Sequence, residues 1–435
     1  MRDKLIYVRD KLNNNCIIYF FVGMSIILSF YPISSGSSII GYFALIYVMF
    51  NYKDLSVNKI FIAVSLFSCW LLFSCLMTHN EFNNNDSRFW IKELRFFLMF
   101  LMLSIMLTKM SFKKFFDMYL ITGAVFTFLG YVEVFSGNSL DSFFRIFRSH
   151  AKNLHLYFDD SIPRLLSISR NADPTFVAFI IAVLFISATT MVLSGWLKNK
   201  HISKLYIFLS LFFGIALLLT GSRGGVLVAL FSLIFTSFIV AKTSYNTKIY
   251  KALIFIGGAF ILILLCFNFL LPDNIFIIKL IHLFDKNTWK AGTSEGMRVE
   301  MLYLSFQLLK ENVFFGVGPT GFHVASHLPE YYIKSLANSN FRDPHNFLAT
   351  VGMLSGIPGM LLIVYIIYNG ILSAIKSLKN EMTIKNLIIL SWGLCFIGTI
   401  PFEYPLQDEC RLVFLNIYFA VLTVYNKGMN NEKLY

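Results

Sequence analysis

Charge is scarce in this chain: Asp, Glu, Lys and Arg together make up 14% of 435 residues. Cysteine is scarcer, with six in all. Cys16, Cys69, Cys75, Cys266, Cys395 and Cys410 lie within or at the ends of apolar runs. None stands in a CxxC or Cys/His spacing, so neither disulfides nor a cysteine metal site is expected. There is no internal repeat and no low-complexity linker, so residues 1–435 read as one polytopic domain. A soluble fold would have to bury nearly every helix on all sides.

What is present is apolar. Hydrophobic residues reach 57%, in runs long enough to cross a bilayer along the whole chain. The fold class expected is all-α integral membrane, a bundle of about twelve spans of ~20 residues each. These fall near residues 16–34, 38–50, 59–78, 92–108, 115–136, 174–195, 203–220, 224–242, 250–271, 346–371, 386–401 and 410–426. The first run follows a polar start and reads as a retained helix rather than a cleaved signal. The formal charge of +13 invites a nucleic-acid reading, but its distribution favours the bilayer as partner. Lys-rich connections at 51–59, 109–114, 198–204, 242–251 and 376–385 alternate with the others, as do the two ends of the chain. The positive-inside rule puts the Lys-rich set in the cytoplasm. The opposite, periplasmic face then carries two large loops, 137–173 and 272–345. Both exceed ordinary connections and are expected to be functional.

The residues able to do chemistry collect on that second face. Arg223, in Gly221-Ser222-Arg223-Gly224-Gly225, is expected at the membrane edge, where its flanking glycines would let a bulky anion approach the backbone. Arg298 opens an amphipathic segment, 300–311, in which Glu300, Gln307, Lys310 and Glu311 fall on one side as in a helix at a membrane interface. Two arginines on one face suit a diphosphate, because each can fork two hydrogen bonds to phosphate oxygens. Asp343 is expected to cap a helix with Pro344 at its first position, which would put His345 in the first turn. A neutral imidazole there can take a proton from a sugar hydroxyl. Asn346 and the loop arginines Arg145, Arg148, Arg164 and Arg170 are candidates for substrate binding, the arginines for an anionic headgroup or glycan. Gly316 to Gly321 matches G-x-G-x-x-G, but no strand precedes it and no βαβ unit surrounds it, so it reads as a turn. His323 and His327 are four apart without an HExxH glutamate, and no metal site is expected.

Three of these segments resemble the O-antigen ligase and polymerase superfamily. They are Gly-Ser-Arg-Gly at 221–224, Gly-Met-Arg at 296–298 leading through Phe314-Phe315-Gly316-Val317-Gly318 to Phe322, and Pro344-His345-Asn346. The likeness spans roughly residues 217–356, and the first half of the chain agrees only in hydropathy. The resemblance implies a multi-pass enzyme of the bacterial inner membrane with its active site facing the periplasm. Such a glycosyltransferase takes a glycan from undecaprenyl diphosphate and passes it to a glycan or lipid A core acceptor. No cofactor, nucleotide sugar or metal is implied. Arg223 and Arg298 would match the two arginines thought to hold the diphosphate, and His345 the histidine thought to activate the acceptor. Polymerase and ligase are nearly balanced, and the abundance of Phe, Ile, Asn and Lys tips the reading to a polymerase. The competing class is a polysaccharide transporter or a flippase for lipid-linked oligosaccharides, which also fits about twelve spans. Transporters place charged sites near the midplane, however, often in repeated halves, whereas the charges here crowd one face.

The loop alternation yields a test. Reporter fusions after Lys310 and after Lys379 should report opposite sides of the membrane, with Lys310 external.

Overall fold

The computed structural model describes residues 14–30, 34–78, 88–135, 174–197, 203–244, 294–331, 344–400 and 409–425. Regular structure among them is helical throughout, without a strand. In chain order the helices are α1 (Asn15–Phe30), α2 (Ser34–Asn51), α3 (Lys59–Met77), α4 (Arg88–Thr108), α5 (Phe112–Phe135), α6 (Pro174–Leu197) and α7 (Lys204–Leu219). They continue with α8 (Arg223–Ser244), α9 (Ser294–Glu311), the short α10 (Gly321–Ala325), α11 (Phe347–Asn380), α12 (Ile384–Thr399) and α13 (Glu409–Tyr425). Five are long and apolar enough to cross a membrane: α3, α6, α8, α11 and most of α5, from Phe112 to Val132. The apolar segments Asn15–Phe30, Lys204–Leu219, Ile384–Thr399 and Leu412–Tyr425 are shorter. The expected span 250–271 and the first large loop lie outside the described residues, and Arg145, Arg148, Arg164 and Arg170 with them.

Local signals set several of these ends. Asn58 caps α3, its side chain accepting from the Phe61 N–H at 2.8 Å. Thr383 caps α12 by accepting from Asn386 N at 3.2 Å. The connection between Tyr52 and Lys59 lies at one end of the bundle with the 109–114 turn and the end of α13. There Lys109 Nζ pairs with Asp54 at 2.8 Å. The Tyr425 hydroxyl donates to the Met110 carbonyl at 2.8 Å, and Asn58 Nδ2 donates to the Thr423 carbonyl at 2.7 Å.

The helices at the centre are buried on nearly every side. α6 packs against α7, α8 and α12, and α12 also packs against α8 and α11. Trp392, Tyr119, Phe396, Phe414 and Tyr418 interlock there, with neighbouring ring centroids 4.6–6.3 Å apart. Some of the polar atoms inside are paired between helices: Trp392 Nε1 donates to Ser187 Oγ at 2.8 Å, and Ser232 Oγ donates to the Ser391 carbonyl at 2.7 Å. The outside is apolar as well. Phe20, Tyr42, Met49, Leu66, Phe208, Phe238 and Leu361 are all exposed. A molecule apolar inside and out is built for a bilayer.

α11 is broken. Gly356 has φ 65° and ψ −170°, and Pro358 follows two residues later. Pro358 has no N–H to give Leu354, the residue four before it. The freed groups are met from outside the helix. The Met353 carbonyl accepts from Val317 N at 2.7 Å and Gly318 N at 3.0 Å. The Leu354 carbonyl accepts from Ser74 Oγ at 3.0 Å, and the Ser355 carbonyl from Trp70 Nε1 at 2.8 Å. Ile357 N donates to the Val313 carbonyl at 2.8 Å. The segment 312–318 is thus docked into the break. α9 precedes it, with Met301, Leu304 and Leu308 packed on Val317, Phe322 and Met353, while Val299, Tyr303 and Phe306 face outward.

Two glycines make this docking possible. A Cβ at Gly356 would overlap the Phe314 carbonyl, and one at Gly316 the Met353 carbonyl; both have positive φ. Gly356→Ala should therefore destabilise the protein by at least about 1–3 kcal/mol from the left-handed backbone alone. Gly23→Ala, which meets only Met118 Cε at 3.2 Å, should be mild. Thermal unfolding in detergent compares the two.

Candidate functional site

Arg223 is the first residue of α8, and the corner before it explains why. Gly221, at φ 65°, closes α7 by donating from its N–H to the Leu218 carbonyl at 3.1 Å. Ser222 then stands at the cap position, its hydroxyl 3.4 Å from Gly225 N. Both are buried, and Arg223 emerges half-buried. The flanking glycines do not all open the backbone to a ligand as expected. A Cβ at Gly225 would lie 2.5 Å from Ala178 Cβ, so this glycine serves the close crossing of α8 and α6. The protein itself occupies that space.

His345 is the one non-glycine residue among those described with positive φ, at 47°. The expected cap is corrected here. Asn346, not Asp343, is the N-cap of α11, its Oδ1 accepting from Ala349 N at 3.0 Å, and the helix begins at Phe347. Pro344 and His345 therefore precede the helix rather than open it, and Asp343 lies outside the described residues. The physical reason is tertiary. Phe347 N donates to the Ile400 carbonyl at 3.0 Å, just past the end of α12, and this holds the chain out of helical geometry up to Asn346. Asn346 spends its side-chain oxygen on the cap.

The same end of α12 links His345 to Arg223. A Cβ at Gly398 would meet Phe231 Cδ1 at 3.2 Å and Val228 Cγ1 at 3.5 Å, in the third and second turns of α8. The starts of α8 and α11 therefore flank one helix end, and two positive helix N-termini lie on the same side of the bundle. Arg298 sits half-buried in the second turn of α9. It is tied to α11 through the other end of its helix, where a Cβ at Gly352 would find Leu309 at 3.3 Å. Arg298 lies about 15 Å back along α9 from that contact.

Gly316 and Gly318 have φ 70° and 75°, so the G-x-G-x-x-G segment is a turn. His323 and His327 are adjacent, with ring centroids 4.7 Å apart, but His327 Nδ1 is already 2.8 Å from the His323 carbonyl. Among the described residues no three metal-ligating side chains come together. Nearby, the Tyr331 hydroxyl donates to Glu311, and this bond pushes the tyrosine up to about 12, so it stays protonated at physiological pH. Two features went unread in the sequence. One is the break, whose signal was Gly356-Ile357-Pro358-Gly359 inside a single apolar run. The other is Glu93, buried at 6% exposure in α4 near Arg95, whose stem fills the space beside Gly41.

Helices apolar on all sides, meeting around a broken one, define a multi-pass membrane protein. No curated protein matches the chain. Residues 207–364, somewhat over a third of its length, match the O-antigen ligase family. That segment is similar to the O-antigen ligase domain, and the likeness supports a glycosyltransferase- or ligase-type enzyme of the O-antigen ligase and polymerase kind. Arg223, Arg298, His345 and Asn346 all fall within the match.

The cap and the strained histidine make opposite predictions. Asn346→Ala should lower stability by about 0.5–2 kcal/mol. His345→Gly should leave it within about 1 kcal/mol, because relief of a left-handed backbone offsets the freedom that glycine adds to the unfolded chain. Both are read by thermal unfolding in detergent.

Proposed function

We propose that the protein is a periplasm-facing glycosyltransferase of the inner membrane, moving a glycan from undecaprenyl diphosphate to a glycan acceptor. The acceptor hydroxyl attacks the anomeric carbon and the new glycosidic bond forms. The bond from that carbon to the diphosphate breaks, and the electron pair leaves with polyprenyl diphosphate. His345 takes the hydroxyl proton and later returns it to solvent. Arg223 and Arg298 stabilise the charge that builds on the departing diphosphate. The observation that carries this reading is the backbone of His345. A titratable side chain is kept in a strained conformation at a helix start, on the same side of the bundle as Arg223. Such strain gathers at functional sites.

The transporter reading gains nothing from the broken helix. In transporters the freed backbone groups of discontinuous helices bind the cargo. Here the carbonyls of Met353, Leu354 and Ser355 each have a protein donor.

The acceptor distinguishes two enzymes with this chemistry, and the polymerase reading rests on a composition that it shares with surface-glycan loci. In a strain lacking the gene, a polymerase defect leaves single repeat units on the lipid core. A ligase defect leaves long polymer on undecaprenyl diphosphate, an outcome that would overturn the polymerase assignment. In the complemented strain, His345→Gly should cut transfer by ~10²–10⁴-fold while the protein stays folded. Arg223→Lys and Arg298→Lys should both be poor substitutes, because lysine keeps the charge and loses the fork. Normal polysaccharide in the His345→Gly strain would return this residue to a purely structural role.

A further inference from the structure

The break in α11 is held in part from far away in the sequence. Trp70 and Ser74 stand one turn apart near the end of α3, outside the segment that matches the O-antigen ligase family. Ser74 is fully buried, and its hydroxyl reaches two carbonyls, Leu354 on α11 and Phe315 on the docked loop. Trp70 Nε1 donates to the Ser355 carbonyl at 2.8 Å. Its ring stacks on Phe315, centroids 5.6 Å apart and 22° between planes, and Phe73 meets the same ring edge-on. Phe315 follows the docked Val313 and precedes Gly316, whose neighbours Val317 and Gly318 hold the Met353 carbonyl. One residue pair of α3 thus grips both partners of the docking: the loop that leaves α9 and the half-helix that begins after His345.

We propose that Trp70 and Ser74 are positioning residues for glycosyl transfer. They lock the first half of α11 and the 312–318 loop in one arrangement, so that the histidine before that half-helix and the arginine-bearing α9 keep a constant relation. This rests on the glycosyltransferase reading above. It gives the first half of the chain a part in a site whose recognisable residues all lie in the second half. Hydroxyl and indole N–H suit the task because a broken helix offers carbonyls, which need donors. Apolar side chains at these two positions would fill the space and hold nothing in register. The geometry also explains why the break does not slip. The three carbonyls are met from two separate parts of the chain, backbone amides of the 312–318 loop and the side chains of α3, so moving one half-helix would have to break bonds to both.

The test uses the full-length protein in proteoliposomes with undecaprenyl-diphosphate-linked repeat units as donor. Trp70→Phe keeps an aromatic ring against Phe315 but removes the N–H along with the pyrrole part of the indole; Ser74→Ala removes only the hydroxyl. Each should lower kcat by about 10–100-fold, the scale of a small misplacement of reacting groups, with KM for the donor nearly unchanged. Ser74→Thr, which retains the hydroxyl, should recover most of the rate. Hydrogen exchange in the same samples should rise at 312–318 and 344–357 in the Phe and Ala variants and stay low elsewhere. An unchanged kcat in an active background would overturn the proposal, as would a rise in KM alone. Unchanged exchange in both segments would overturn it whatever the activity. An inactive wild-type protein whose variants still show raised exchange would sink the glycosyl-transfer reading and leave the clamp standing.

Discussion

A helix that stops inside a membrane bundle leaves carbonyls with nowhere to go. In lipid an unmatched backbone group costs several kcal/mol, so the break at Gly356 exists only because other parts of the chain come to it. The 312–318 loop brings two amides, α3 brings a hydroxyl and an indole, and the loop receives the Ile357 amide in return. Pro358 ensures that the helix cannot heal itself, because Leu354 would still lack a donor. α9 is carried along, since its inner face packs on Met353 beside the break. The arrangement of α9, the 312–318 loop and the first half of α11 depends on this exchange of hydrogen bonds.

The charged residues follow a simpler rule. Arg223 begins a helix, His345 and Asn346 immediately precede one, and Arg298 lies in the second turn of a third. Helix starts carry unpaired amides and a partial positive charge. A cation at such a position is unfavourable for the helix on its own and favourable for an anion bound there. Arg223 stands at such a position, after a corner packed through Gly221, Ser222 and Gly225. All four of these residues lie within the segment that matches the O-antigen ligase family.

The sequence by itself determined a good deal. Apolar helices could be read off because a bilayer demands long apolar runs, and the described helices lie within a few residues of the expected runs except at the end of α11, which continues to Asn380 rather than stopping at 371. The turn at Gly316 to Gly321 was legible because glycine repeats without a surrounding strand have little else to do. Arg223, Arg298 and His345 stood out as candidates because charge is rare in this chain and each lies in a recognisable motif. What only the tertiary structure decided was how these pieces meet. Asp343 and Asn346 are both good caps, and the choice fell to Asn346 because Phe347 gives its amide to Ile400, over fifty residues away in the chain. Gly225 looked like room for a ligand and proved to be room for Ala178. The run from Phe347 onward looked like one straight helix, since apolar composition is the same on both sides of a break. Whether a glycine and a proline bend a helix or end it depends on donors elsewhere, and Trp70 and Ser74 gave no local sign that they were those donors. Local patterns report what a segment prefers; hydrogen-bond partners hundreds of residues apart are set only when the chain has packed.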